Sequence, residues 1–211
     1  VLNAGTPEQH ARWLPGIVSG ELICAVAVTE PDAGSDVKGI RTRARRDGDH
    51  YVIDGRKLYI TNGVHAGLYC VAARLDGASA GRGSGGISIF AVEKGTPGLE
   101  VARVLDKQGW LCSDTAELAF DSMRVPAANL LGEEGRGFHA IMKNFQNERV
   151  VLGAMAMGEA SAAIELTLEW VRSRKAFGGT LWDQQVIRQR LSMLAARVEA
   201  GRQLVYATAW A

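Results

Sequence analysis

AVTEPDAGSDVKG, residues 27–39, interrupts a run of short apolar and β-prone segments. Pro31 can donate no ladder hydrogen bond, and Gly34 and Gly39 weaken any regular element, so no long helix or strand runs through it. The segment therefore reads as a loop that presents two hydroxyls, Thr29 and Ser35, and several free backbone N–H groups. Such a loop can bind an oxygen-rich ligand through neutral donors. The same composition also suits a plain strand-to-turn connection closed by Asp and Ser side chains.

On either side of this loop the pattern is β. Residues 22–29 form a short apolar run, and 41–46 alternate around Thr42 and Ala44. Residues 51–53 and 57–61 flank Asp54-Gly55, a two-residue hairpin signal, and Asp47-Gly48 marks the preceding turn. Further strands are expected at 68–75, 86–93, 99–105 and 117–120. Between two of them lies GASAGRGSGG, residues 77–86, a glycine- and serine-rich surface loop. A phosphate cradle is its sharper alternative, although no Lys-Ser/Thr pair follows it. Strands at this spacing without intervening helices predict an antiparallel sandwich or barrel in an α+β chain.

Helical patterns bracket the β region. At the start, Thr6 can cap a short helix over residues 6–14, with Pro7 at its first position, Gln9 completing a capping box and Pro15 near its end. From about Gly135 onward the period is again helical. Phe138, Ile141, Met142 and Phe145 share one face, as do Ile164, Leu168 and Val171, and later Ile187, Leu191, Leu194 and Val198. Gly178-Gly179 separates two long helices, which predicts part of a bundle.

Composition narrows the function classes. The 24 basic and 23 acidic residues give a net charge of +1, with no sign of a nucleic-acid or membrane-surface partner. No stretch approaches the roughly 18 consecutive apolar residues of a membrane span. Cys24, Cys70 and Cys112 are far apart, so neither a disulfide framework nor a metal site is expected, and a reducing compartment fits. Val1 opens the chain without a signal-peptide pattern. Ala211 ends it inside an apolar helical run, so the sequence is read as an internal piece of a longer protein.

Four ordered segments resemble the acyl-CoA dehydrogenase family. The first is the loop at 27–39, which matches the family signature of a small residue, an apolar residue, Ser/Thr, Glu, two free positions, a small residue and Gly-Ser-Asp. KLYITNG at 57–63 resembles the second flavin-contacting strand. DTAELAFDSMRVPAANLLGEEGRGF at 114–138 resembles the strand and linker into the C-terminal helical domain. RSRKAFGGTLWDQQ at 172–185 resembles the helix end and turn that reach a neighbouring subunit's flavin. The resemblance implies the end of an N-terminal helical domain at 1–21, a middle flavin-binding β domain at 22–126, and the first half of a C-terminal four-helix bundle at 127–211.

It also implies roles. Val28 and Thr29 would line the flavin of FAD, and Ser35 would stand where the cofactor's pyrophosphate meets the CoA chain. Tyr59, Ile60 and Thr61 would wall the other side of the ring. Many relatives carry Trp where this sequence has Tyr59, and an aromatic in a β-strand is also its ordinary reading. Arg174, Phe177 and Gln185 would touch the flavin of a second subunit, making the protein at least a dimer and, by family habit, a tetramer. Arg174 and Lys175 equally suit a helix C-terminus.

The reaction implied is α,β-dehydrogenation of an acyl-CoA in fatty-acid or branched-chain oxidation, with electrons passed to an electron-transfer flavoprotein. The setting would be the bacterial cytoplasm or the mitochondrial matrix. Such chemistry needs a carboxylate to take the α-proton. Isovaleryl- and long-chain-type members carry it on the first long helix of the C-terminal domain, just before an Arg. In FQNERVVLGAMAMG the matching residue is Glu148, and Arg149 would support the active site or the CoA. A surface Glu-Arg pair is the plain alternative. Glu30, inside the signature, is expected to be structural.

Overall fold

The computed structural model describes residues 1–76 and 86–211, so nearly all of the loop at 77–86 lies outside the described residues. It divides into two compact units, Val1–Met142 and Lys143–Ala211.

The first unit begins with α1 (Pro7–Ser19). The expected capping box is present: Gln9 N–H donates to Thr6 Oγ1 at 3.3 Å, and Thr6 N–H donates to Gln9 Oε1 at 2.9 Å. Pro15 does not end the helix, which continues to a left-handed cap at Gly20. Only there does the backbone turn away, with the Gly20 N–H bonded to Ile17. Gln9 also donates to the carbonyls of Ala128 and Leu130, and Trp13 Nε1 donates to Glu93, which fastens α1 to the sheet.

The sheet contains β1 (Cys24–Ala27), β2 (Arg43–Asp47), β3 (His50–Thr61), β4 (Leu68–Leu75), β5 (Ile87–Glu93), β6 (Leu99–Val104), β7 (Thr115–Pro126) and β8 (Leu130–Leu131). Its order is β6-β7-β3-β2-β4-β5-β8, with β1 also on β4. The sheet is mixed rather than wholly antiparallel, because β1 and β2 both run parallel to β4. They follow one edge of β4 in tandem: Ala27 stands opposite Val71, and Arg43 opposite Arg74. Residues 28–42 therefore loop out of a single edge and return to it almost where they left, which is how Pro31 and Gly34 avoid the ladder.

Tyr51 on β3 meets Phe90 on β5 with ring centroids 4.8 Å apart, although two strands separate them in the sheet. The sheet therefore curls around one core that takes residues from β1 to β7, among them Ile53, Tyr69, Val71, Leu118 and Met123. A second cluster joins Trp13 of α1 to Leu68, Ala91 and Leu131 on the opposite face. Strand β4 is thus covered on both faces, which explains its nearly unbroken apolar sequence.

Asp54-Gly55 is not a hairpin. The turn falls at Gly48-Asp49, and β3 runs straight through 54–55 as one 12-residue strand. Gly55, with φ 150°, instead stands where the register against β7 shifts, the extra residue lying on β7 near Ser122, whose φ is 48°. A Cβ at Gly55 would stand 2.6 Å from Thr42 Oγ1 and 2.8 Å from Thr42 Cα. Gly55→Ala is expected to cost about 1–3 kcal/mol, read as a lower urea midpoint at unchanged slope.

The second unit holds most of α2 (Gly137–Ser173), a two-stranded hairpin of β9 (Lys175–Ala176) and β10 (Gly179–Thr180), and α3 (Gln185–Trp210). The hairpin replaces the plain break expected at Gly178-Gly179. Its two-residue turn is Phe177-Gly178, with φ of 55° and 82°. Helices α2 and α3 run antiparallel. Gly153 lies beside Val205, Gly201 lies beside Met157, and Arg202 Nη2 donates to Ser161 Oγ at 2.8 Å. Among the described residues, α2 is the one helix long and apolar enough to cross a membrane by length and composition. Its longest uncharged stretch is nine residues, 150–158.

Candidate functional site

In the first unit the signature loop and the end of β3 are brought together. Thr29 accepts a hydrogen bond from Leu58 N–H at 2.9 Å, so residues 28–30 lie along residues 57–59. Between Lys57 and Ile60, β3 takes three steps where β7 takes two. The extra residue is absorbed by Tyr59, whose φ is 61°. A left-handed aromatic costs about 1 kcal/mol or more, and here it turns the ring out of the sheet, leaving Tyr59 65% exposed. Strain of this kind gathers at functional positions.

The expected residues contribute unequally. Thr29 is half-buried and Thr61 exposed, and neither hydroxyl bonds to any of the described residues. Val28 is buried and its carbonyl is taken by Lys57 Nζ at 2.9 Å. The Ile60 side chain belongs to the hydrophobic core, so only its backbone stands with the wall assigned to it. Ser35 is exposed farther along the loop; Gly34 beside it folds back toward Thr29, where an added Cβ would stand 3.8 Å from the Thr29 methyl. Free hydroxyls beside an outward aromatic suit a planar, polar-edged ring such as a flavin.

Beneath this face lies a buried ion pair that the sequence did not announce. Lys57 Nζ is 2.8 Å from Glu30 Oε1, and the two side chains are 0% and 6% exposed. The Glu30 carboxylate also accepts from Arg41 N–H at 2.6 Å and Thr42 N–H at 2.9 Å. Burial pushes the Glu30 carboxyl up, but the charge and hydrogen bond of Lys57, with those from Thr42 and Arg41, hold it below its ordinary value. Burial lowers Lys57 to about 8 despite the opposing pull of Glu30. The expected structural role of Glu30 thus has a definite form: it ties the start of the loop to its end.

The remaining residues lie in the second unit. Glu148 and Arg149 are exposed on α2. Glu148 accepts from Asn144 Nδ2 one turn earlier, and the Arg149 guanidinium lies 6.0 Å from the Phe145 ring. Arg174 follows the last turn of α2, its N–H bonded to Trp170 and its guanidinium 6.0 Å from that indole. Its carbonyl accepts from Leu181 N–H, which closes the hairpin base. Phe177 stands at the hairpin tip, 91% exposed. Gln185 opens α3 and lines a groove with Arg188, Gln189, Ser192 and Met193.

Residues 25–123 match the acyl-CoA dehydrogenase middle domain, and residues 135–211 match the acyl-CoA dehydrogenase C-terminal domain. Cyclohexane-1-carbonyl-CoA dehydrogenase of Geobacter metallireducens is 44% identical over 99% of this chain and 54% of its own length. Mitochondrial isovaleryl-CoA dehydrogenase of Pongo abelii is 39% identical over 96% of this chain and 48% of its own. Among solved structures, a probable acyl-CoA dehydrogenase from Mycobacterium abscessus superposes with a TM-score of 0.93 at 43% identity, covering 98% of this chain and 54% of that one. The chain spans about half the length of the curated relatives it matches. Its signature loop, bulged strand and helical hairpin are thus those of a chain that belongs to the acyl-CoA dehydrogenase family.

Proposed function

We propose that this chain forms the flavin-binding face of an FAD-dependent dehydrogenase that converts an acyl-CoA thioester to its trans-2-enoyl product. The observation that carries the reading is the outward, strained Tyr59 beside Thr29 and Thr61, whose hydroxyls bond to none of the described residues, in a chain of this family. Thr29 and the backbone around Val28 would hold the polar edge of the ring, and Tyr59, the Ile60 backbone and Thr61 its other side. Ser35 would bind at the junction of the cofactor's pyrophosphate and the CoA.

Bound FAD supplies the acceptor for the hydride that leaves the β-carbon. Glu148 takes the α-proton as general base. Its carboxylate is exposed on α2, so the bound acyl thioester would supply the desolvation that proton transfer needs. Arg149 supports the CoA or the active site rather than the chemistry.

Arg174, Phe177 and Gln185 would reach the flavin of a second subunit, which requires at least a dimer. A phenylalanine 91% exposed on a left-handed turn gains nothing within its own chain. Phe177→Asn, a residue the turn prefers, is expected to stabilise the isolated chain by up to about 1 kcal/mol in thermal unfolding. The same change should weaken FAD binding in the full-length oligomer. An electron-transfer flavoprotein would collect the electrons, in the bacterial cytoplasm or the mitochondrial matrix. The recurrent charges along α2, at Glu148, Glu159, Glu165 and Glu169, favour helix packing over a membrane span.

The test is product analysis. Full-length protein loaded with FAD and supplied with acyl-CoA and an electron acceptor should release a thioester lighter by two hydrogen atoms. A hydrolysed or unchanged thioester with every chain length supplied would refute the reading.

A further inference from the structure

The two segments of the candidate flavin face belong to different elements, and the buried Lys57–Glu30 pair links them. Lys57 is fully buried on β3, two residues before the strained Tyr59. Its ammonium donates to the Val28 carbonyl at 2.9 Å and to Glu30 Oε1 at 2.8 Å, so it grips the loop on both sides of Thr29. Glu30 then binds the amides of Arg41 and Thr42, where the loop rejoins the sheet. Among the described residues, Leu58 N–H also donates to the Thr29 carbonyl, and Asn62 Nδ2 donates to the Cys24 carbonyl where β1 leads into the loop.

A buried ion pair is a poor way to gain stability, since apolar residues of similar volume commonly serve as well. Its advantage is direction: an ammonium aimed at one carbonyl and one carboxylate fixes a single arrangement. Resting on the flavin reading above, we propose that Lys57 is a positioning residue, which holds Val28 and Thr29 at the one distance from residues 59–61 that lets both segments engage the same ring. Glu30 is its counter-charge and closes the loop behind it.

The test compares full-length wild type with Lys57→Met and with the double variant Lys57→Met/Glu30→Gln. The double variant leaves no uncompensated buried charge, so it is the form to use if the single variant does not fold. A merely structural pair predicts a double variant with wild-type FAD affinity and flavin absorption. Positioning predicts a double variant that melts near wild type but binds FAD about 10-fold or more weakly, the worth of one lost charge-assisted hydrogen bond, with a shifted visible band. In flavin-stripped protein its Leu58 amide should exchange about 10-fold faster or more, because the loop no longer stays against β3.

Wild-type FAD affinity and spectrum in the double variant overturn the proposal. If wild type itself binds no FAD, the functional reading fails, and Leu58 exchange alone decides about Lys57. Faster exchange in the double variant then supports the clamp, and equal exchange overturns it.

Discussion

Glu148→Gln in the full-length protein is expected to keep FAD bound and to lower turnover by about 10²–10⁴-fold, the usual worth of a general base. The substitution keeps the shape of the side chain and removes only its ability to accept a proton. The Glu148 side chain is exposed and, among the described residues, bonds only to Asn144 on its own helix, so stability should hardly change. The loss should fall on kcat, with KM for the acyl-CoA little altered, because the group acts on the proton in the transition state. Near-normal turnover would mean that a carboxylate other than Glu148 takes the proton.

Lys57→Met alone should cost about 3–5 kcal/mol of stability, because it strands the Glu30 carboxylate in the interior. Adding Glu30→Gln should recover most of that loss. The pH dependence has a defined sign. Glu30 is held below its ordinary value, so its contribution is fully present above about pH 4.3 and is lost as the pH falls through the lower folded value. Lys57 is lowered from 10.5 to about 8, so the unfolded chain holds that proton more tightly. Wild-type stability relative to the double variant should therefore rise from about pH 8 toward 10.5. Unfolding free energies that differ by a constant at all pH values would contradict this account of the pair.

The elements that could be read in the sequence were those set by local chemistry. The capping box of Thr6 and Gln9 needs only four residues of context, and β4 and β5 announce themselves as apolar runs. The signature loop was legible because Pro31 and Gly34 forbid regular structure. Elsewhere local signals were real but served another end. Asp54-Gly55 signals a positive φ, and a strand that passes close to Thr42 opposite a bulge in β7 uses one as well as a turn does. The hairpin at Phe177-Gly178 was missed because its turn lacks the usual Asn or Asp. The parallel pairing of β1 and β2 with β4 depends on contacts dozens of residues apart.

The candidate site divides in the same way. Thr29, Tyr59 and Thr61 could be named from the resemblance, but the bulge that turns Tyr59 outward could not. Lys57 was the least legible residue of all. A lysine in a strand ordinarily faces water, and its partner Glu30 lies 27 positions away. The one available hint was that Glu30 and Lys57 each sit in a segment resembling a flavin-contacting element, one on either side of the expected ring.

The central claim is that this chain carries the flavin face of an acyl-CoA dehydrogenase. Anaerobic titration of the full-length, FAD-loaded protein with a panel of straight- and branched-chain acyl-CoAs tests it most directly. At least one acyl-CoA should bleach the flavin's visible absorbance without any added reductant, and Glu148→Gln should abolish that bleaching while leaving the oxidised spectrum in place. A flavin spectrum unchanged by every acyl-CoA in the panel would contradict the account.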